Sequence, residues 1–222
     1  MTNSSKKIIV FGATGGTGQA IVNEAIKRSY SVTVFVRDLT KARLLFPAAH
    51  SRLNFVAGDA LNAAEVAKEF SPDTDAVISA LGIFQAKAGH DDLTRATDNI
   101  LQAMKTANTS RFVCVSSLGV GESRGQGNLI VKFIQKLSLR HTLADKEQQE
   151  TLIRSSGLAW TLIRPSRLMN GNGPDNYVDW VGPAPDKKLI WSINRNDVAR
   201  LVLDCLENDT SIEQAINVTG CH

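Results

Sequence analysis

Apolar positions along the chain fall into two recurring patterns. Lys7-Ile8-Ile9-Val10-Phe11, Ser31-Val32-Thr33-Val34-Phe35-Val36 and Leu53-Asn54-Phe55-Val56-Ala57 are short runs rich in β-branched and aromatic residues. So are Asp75-Ala76-Val77-Ile78-Ser79, Arg111-Phe112-Val113-Cys114-Val115 and Trp160-Thr161-Leu162-Ile163-Arg164. Runs that are apolar on both faces predict strands buried on both sides, as in a parallel sheet. Between them the apolar residues take helical spacing; in Asp91 to Ala107, for example, Leu93, Ala96, Ile100, Leu101 and Met104 share one face. Helices are predicted over Gln19–Arg28, from near Leu39, over Asn62–Phe70, Asp91–Ala107 and Leu129–Ser155, and from an Asp197 cap to Leu206. A short strand is expected at Leu189-Ile190-Trp191, and Ala215 to Thr219 is a candidate seventh strand of the sheet. Six strands alternating with helices predict one α/β domain over residues 1–222, a doubly wound parallel sheet of order 3-2-1-4-5-6.

The turn after the first strand reads Gly12-Ala13-Thr14-Gly15-Gly16-Thr17-Gly18. Strand, glycines three apart, then helix is the order of a dinucleotide-binding βαβ unit, so the sheet is read as a Rossmann domain. Gly12 permits the sharp turn, Gly15 the close approach of a pyrophosphate, and Gly18 the tight packing of helix on sheet. First-turn N–H groups lack intrahelical partners and sit at the positive end of the helix dipole, which suits a phosphate. The second strand ends in Arg37-Asp38, with Lys41 four residues after Arg37. An acidic residue there favours the ribose 2′-OH of NAD and an arginine the 2′-phosphate of NADP. Two cations against one carboxylate favour NADP(H), with Asp38 left to pair with Arg37 or to cap the next helix.

In the expected strand order the loops after strands one, four, five and six open on one edge. Gly12 to Gly18, Ala80-Leu81-Gly82, Ser116-Ser117 and Pro165 to Leu168 then converge on one crevice. Asp59 and Ala60 close strand three; Asp59 either faces the adenine or starts the next helix. Asn99 either braces a neighbouring strand or faces solvent. Residues 166–188 are rich in Gly, Pro, Asn and Asp and long for a connector, so a substrate-covering lid is expected there. Phe84, Tyr177 and Trp180 are candidate apolar walls for an acceptor beside Ser117, the two lid aromatics alternatively being anchors of the lid.

Composition narrows the class. The chain has 222 residues, 43% hydrophobic and 21% charged, with a net charge of +3 and no Lys/Arg block, so no nucleic-acid partner is expected. Cys114, Cys205 and Cys221 lack metal-ligand spacing, and three widely separated cysteines fit a reducing cytoplasm. No run spans a bilayer and Met1 to Lys7 lacks a signal-peptide core; a cytoplasmic monomer without metal or membrane partner is expected.

Gly12 to Gly18, Val36-Arg37-Asp38, Gly58-Asp59, Ser79-Ala80-Leu81-Gly82, Ser116-Ser117 and Ser156-Gly157-Leu158 resemble atypical short-chain dehydrogenase/reductases. Within that superfamily the chain is similar to flavin reductase/biliverdin reductase B enzymes and NmrA-like proteins, from Lys7 to about Pro165 and more loosely at Arg195-Asn196-Asp197-Val198-Ala199. The resemblance implies NADPH-dependent reduction of a flavin or linear tetrapyrrole, with Arg37 and Lys41 on the 2′-phosphate. It also implies Ser117 as active-site serine and His141 as a histidine of the following helix, with a surface histidine the plainer reading of His141. Two departures matter. The superfamily's Tyr-x-x-x-Lys pair reads Thr142-Leu143-Ala144-Asp145-Lys146 here, and threonine titrates too high to replace a phenol as general acid. A second histidine after the strand-six proline is Ser166, which removes histidine-based proton delivery to biliverdin from that position. Alcohol–ketone chemistry is thereby disfavoured. Flavin reduction survives the loss, because hydride transfer between stacked rings depends mainly on orientation. The alternatives are a non-catalytic NmrA-like sensor of NADP(H) and a quinone reductase.

Overall fold

The computed structural model describes residues 5–47, 51–82, 91–127, 140–171 and 176–221. Six parallel strands form the centre of the main sheet: β1 (Lys7–Phe11), β2 (Ser31–Val36), β3 (Leu53–Ala57), β4 (Ala76–Ser79), β5 (Arg111–Val115) and β6 (Ala159–Pro165). Their order is β3-β2-β1-β4-β5-β6, the order expected of a Rossmann sheet. Two further strands extend the sheet beyond β6. The candidate seventh strand is β10 (Gln214–Gly220), parallel to β6, and β8 (Tyr177–Val181) pairs antiparallel with β10 at the edge. The sheet therefore has eight strands.

Strand residues alternate between two cores. Ile8 and Val10 pack with α1 (Gly16–Lys27), α2 (Leu39–Leu45) and α6 (Arg195–Glu207) on one face. Ile9 and Phe11 pack with α3 (Ala63–Lys68), α4 (Asp92–Thr106) and α5 (Arg140–Arg154) on the other. This is the doubly wound arrangement, in which both faces of a parallel sheet are dry. Asn62 caps α3 by accepting from the N–H groups of Ala64 and Glu65.

The C-terminal third departs from expectation in three places. Residues 166–188, expected as a lid, carry two strands that the sequence pattern does not announce, β7 (Arg167–Met169) and β8. The short strand expected at Leu189–Trp191 lies three residues later, as β9 (Ser192–Asn194), which pairs in parallel with β7. Trp191 takes a φ of +59, outside extended geometry, and Leu189 makes only an isolated bridge to Cys221. The last helix starts at Arg195 with Asn194 as N-cap; Asp197 is buried in its first turn, where a carboxylate complements the dipole, and pairs with Arg200.

Candidate cofactor and active site

The carboxyl ends of β1, β4, β5 and β6 lie at one edge of the sheet, where the crevice is expected. Gly12 adopts φ +77, and a Cβ on it would lie 2.5 Å from the Ala80 carbonyl oxygen, so the β1 turn presses on the end of β4. The Ala80 N–H donates to the Phe11 carbonyl at 2.9 Å and locks the two strand ends together. At Gly18 a Cβ would sit 2.2 Å from the Gly12 oxygen, which is the close helix-to-turn packing inferred from the spacing. Gly15 is exposed, and a Cβ there would meet only the Gly12 oxygen at 3.3 Å. Among the described residues, apart from its chain neighbours, nothing lies within 4 Å of where a Cβ on Gly82 would be. Helix α1 begins at Gly16 with no side-chain cap and no acidic residue in its first turn. A helix start over small residues, without a side-chain cap, fits a dinucleotide phosphate. Thr14 holds this turn through its carbonyl, which accepts from Gln19 Nε2 at 3.0 Å, while Thr17 is buried.

At the end of β2, Arg37 and Lys41 are both exposed. The Asp38 carboxylate accepts from the Lys41 N–H at 2.9 Å and caps α2, so the capping alternative is the one realised. Asp59 is also used locally: its carboxylate accepts from the Leu61 N–H at 3.0 Å. Asn99 braces the same turn, donating to the Ala60 carbonyl at 2.9 Å.

The two serines after β5 face different surroundings. Ser117 is partly exposed at the crevice, its hydroxyl donating to the Leu118 carbonyl at 3.2 Å. Ser116 is buried and its hydroxyl donates to Glu150 Oε1 at 2.5 Å, which commits that side chain to the interior. Behind it lies a buried ion pair that sequence reading missed. Arg164, 1% exposed, donates to Glu150 through Nε at 2.9 Å and through Nη2 at 2.5 Å. Burial lowers the Arg164 pKa, but the Glu150 and Glu122 carboxylates outweigh it and the net shift is upward. The Leu118 N–H donates to the Pro165 carbonyl at 2.9 Å, so the loops after β5 and β6 are tied together.

Lys146 is buried on α5, with Nζ donating to the Val115 carbonyl at the end of β5 at 3.3 Å. Burial pushes its pKa down, opposed by Cys114, Glu150 and Asp145. Thr142 lies one turn earlier and is partly exposed. His141 belongs to the first turn of α5, and its side chain lies outside the described residues, as does Phe84.

Tyr177 and Trp180, the candidate acceptor walls, both stand on β8, three strand spacings from β5, or roughly 14 Å. Tyr177 packs on the core beside α6, where burial raises its pKa. Trp180 donates from Nε1 to Gln126 at 3.3 Å, and Gln126 in turn donates to the Gly182 carbonyl at 2.9 Å. Trp180 is thus tied to the loop after β5 and Tyr177 to the core.

Another residue not read as a site residue reaches the glycine turn from the far end of the chain. The Arg195 side chain lies across Gly16, its Nε 2.8 Å from where a Cβ would be, and Nη1 donates to Asn170 Oδ1 at 2.5 Å. Among the described residues no group of three His, Cys, Asp or Glu could hold a metal ion, and no helix is long and apolar enough to cross a membrane.

The comparisons agree with this geometry. An uncharacterised chloroplastic protein of Arabidopsis thaliana is 32% identical over 97% of this chain and 77% of its own. Among solved structures, a short-chain dehydrogenase/reductase of Veillonella parvula in complex with NADP superposes with TM-score 0.79 at 19% identity, covering 96% of this chain and 94% of that one. ChuY, an anaerobillin reductase from Escherichia coli, superposes with TM-score 0.79 at 22% identity over 97% of both chains. At those identities the two structures speak for the fold. The family model for NAD(P)H binding matches residues 12–209, from the first glycine of the turn to just past α6. With the turn, the uncapped helix and that match in agreement, the chain belongs to the NAD(P)H-binding family.

Proposed function

We propose that the protein is an NADPH-dependent reductase that passes hydride to a flavin, with a linear tetrapyrrole as a second acceptor class. The observation that carries this reading is the pairing of a built dinucleotide site with threonine, Thr142, where a phenolic acid would stand. Bound NADPH supplies the hydride; the chain binds, orients and leaves the acceptor open to solvent. Gly12 to Gly18 receive the phosphates, and Arg37 and Lys41, with Asp38 diverted to its cap, favour a 2′-phosphate. Ala80 and Gly82 are small residues at the end of β4, with Leu81 turned to the core, and flat rings can lie together there. Ser117 is the hydroxyl at the crevice available to orient the acceptor, and Ser116, Glu150 and Arg164 hold its turn from behind. Lys146 stays below the turn, bound to the Val115 carbonyl. No side chain of the crevice is assigned as proton donor, and the proton that accompanies hydride is taken from water. A ketone would need a positioned acid, whereas a flavin does not.

The name of ChuY, an anaerobillin reductase, supports the tetrapyrrole class as a second acceptor. A steady-state screen of NADPH oxidation against FMN, FAD, riboflavin, biliverdin and quinones tests the proposal. Turnover with flavins is expected. Turnover with quinones alone would reassign the acceptor, and NADPH binding without turnover on any of them would favour a sensor.

A further inference from the structure

We propose that Arg195 is a second anchor for the dinucleotide diphosphate, closing over the α1 N-terminus from the opposite end of the chain. The inference rests on the cofactor reading and adds a residue and a support to it.

Three observations carry it. First, Arg195 lies directly on the turn: a Cβ at residue 16 would be 2.8 Å from Arg195 Nε and 2.9 Å from Cδ. The spacing of Gly12, Gly15 and Gly18 gives no reason for a fourth glycine. Passage of the Arg195 side chain puts its guanidinium group beside Gly16 at the start of α1.

Second, the electrostatics are unbalanced without an anion. The start of α1 carries roughly half a positive charge from its peptide dipoles, and its first turn has no acidic residue. A guanidinium laid beside it adds a full positive charge. Among the described residues its hydrogen bond goes to a neutral amide oxygen, that of Asn170, at 2.5 Å. No carboxylate among the described residues forms an ion pair with it. Two positive groups held together by a neutral support form a site for a doubly charged diphosphate, which the planar donor fork of arginine suits.

Third, the placement is built by the fold. Strands β7 and β9 pair in parallel with Met169 opposite Asn194, so the next residues in register are Asn170 and Arg195. The two-stranded sheet therefore sets donor and acceptor side by side and aims the pair at the glycine turn. Residues 167–171 and 192–195 then act as a support for the phosphate site, a use for this part of the chain different from a lid over the acceptor.

Calorimetric titration of the purified protein with NADPH, NADH and ADP-ribose provides the test. ADP-ribose carries the diphosphate but neither the nicotinamide nor the 2′-phosphate. Arg195→Met should weaken all three by about tenfold or more, as loss of a charge-assisted contact to a shared group requires. Asn170→Ala, at an exposed position, should weaken all three to a smaller degree and keeps the test open if Arg195→Met does not fold. Unchanged ADP-ribose affinity in a folded Arg195→Met protein, or in Asn170→Ala if the first variant does not fold, would overturn the assignment. So would a loss confined to NADPH, which would move Arg195 to the 2′-phosphate. Failure of the NADPH preference looks different: wild type would then bind NADH and NADPH equally, while Arg195→Met still weakened both.

Discussion

Removing Glu150 tests the support behind the β5 turn. Glu150→Ala deletes the acceptor of two bonds from Arg164, at 2.9 and 2.5 Å, and of one from Ser116, at 2.5 Å. Arg164 would be left 1% exposed with Glu122 as its remaining carboxylate, at 2.8 Å, and that side chain is 62% exposed. Breaking a buried pair by deleting one partner costs about 3–5 kcal/mol, because the other charge stays desolvated. For a chain of this size each kcal/mol moves Tm by about 2–4 °C, so a fall of about 6–20 °C is expected. Thermal and urea unfolding followed by circular dichroism read both quantities. The double variant Glu150→Met/Arg164→Met should recover much of the loss, since an apolar pair of similar volume is often as stable as a buried ion pair. A Glu150→Ala protein within about 1 kcal/mol of wild type would refute the reasoning, as would a double variant less stable than either single one.

Arg37→Ala should weaken NADPH by about ten- to a hundredfold and leave NADH nearly unchanged, as loss of a charge-assisted phosphate contact implies; equal losses for both in calorimetry would remove Arg37 from the 2′-phosphate. Thr142→Val should leave flavin reduction within a few fold, and a loss of two orders of magnitude or more in steady-state turnover would show that a proton relay runs through it. In thiol titration of the native protein Cys221, partly exposed, should react first. Burial pushes the Cys114 thiol up to about 12 and the Cys205 thiol up to about 11, so both should react only on unfolding, and rapid native labelling of either would contradict this burial.

Most strands were legible because strands buried on both faces read as apolar runs, and the glycine spacing marked the β1 turn and with it the usual Rossmann order. Gly12 and Gly18 do in the structure what their spacing implies, each closing on backbone that a Cβ would strike. Strand β8 was not legible: an antiparallel edge strand exposed on one side, it owes its place to a distant partner, β10. The same physics hid Arg195 and Asn170, which are 25 residues apart and meet only because β7 and β9 pair. Glu150 reads in sequence as one more charge on a polar helix, and its burial follows from Arg164 across the sheet. The available signal was Arg164 itself, a cation closing an otherwise apolar strand, which needs a buried partner. At Asp38 the sequence offered a ribose contact, an ion pair or a cap, and side-chain geometry selects the cap.

The proposed reaction is tested most directly by mixing the protein with NADPH and FMN under anaerobic conditions and following the flavin absorbance. Bleaching is expected at a rate proportional to protein concentration and much slower when NADH replaces NADPH. Saturable NADPH binding with flavin that bleaches no faster than in buffer would contradict it.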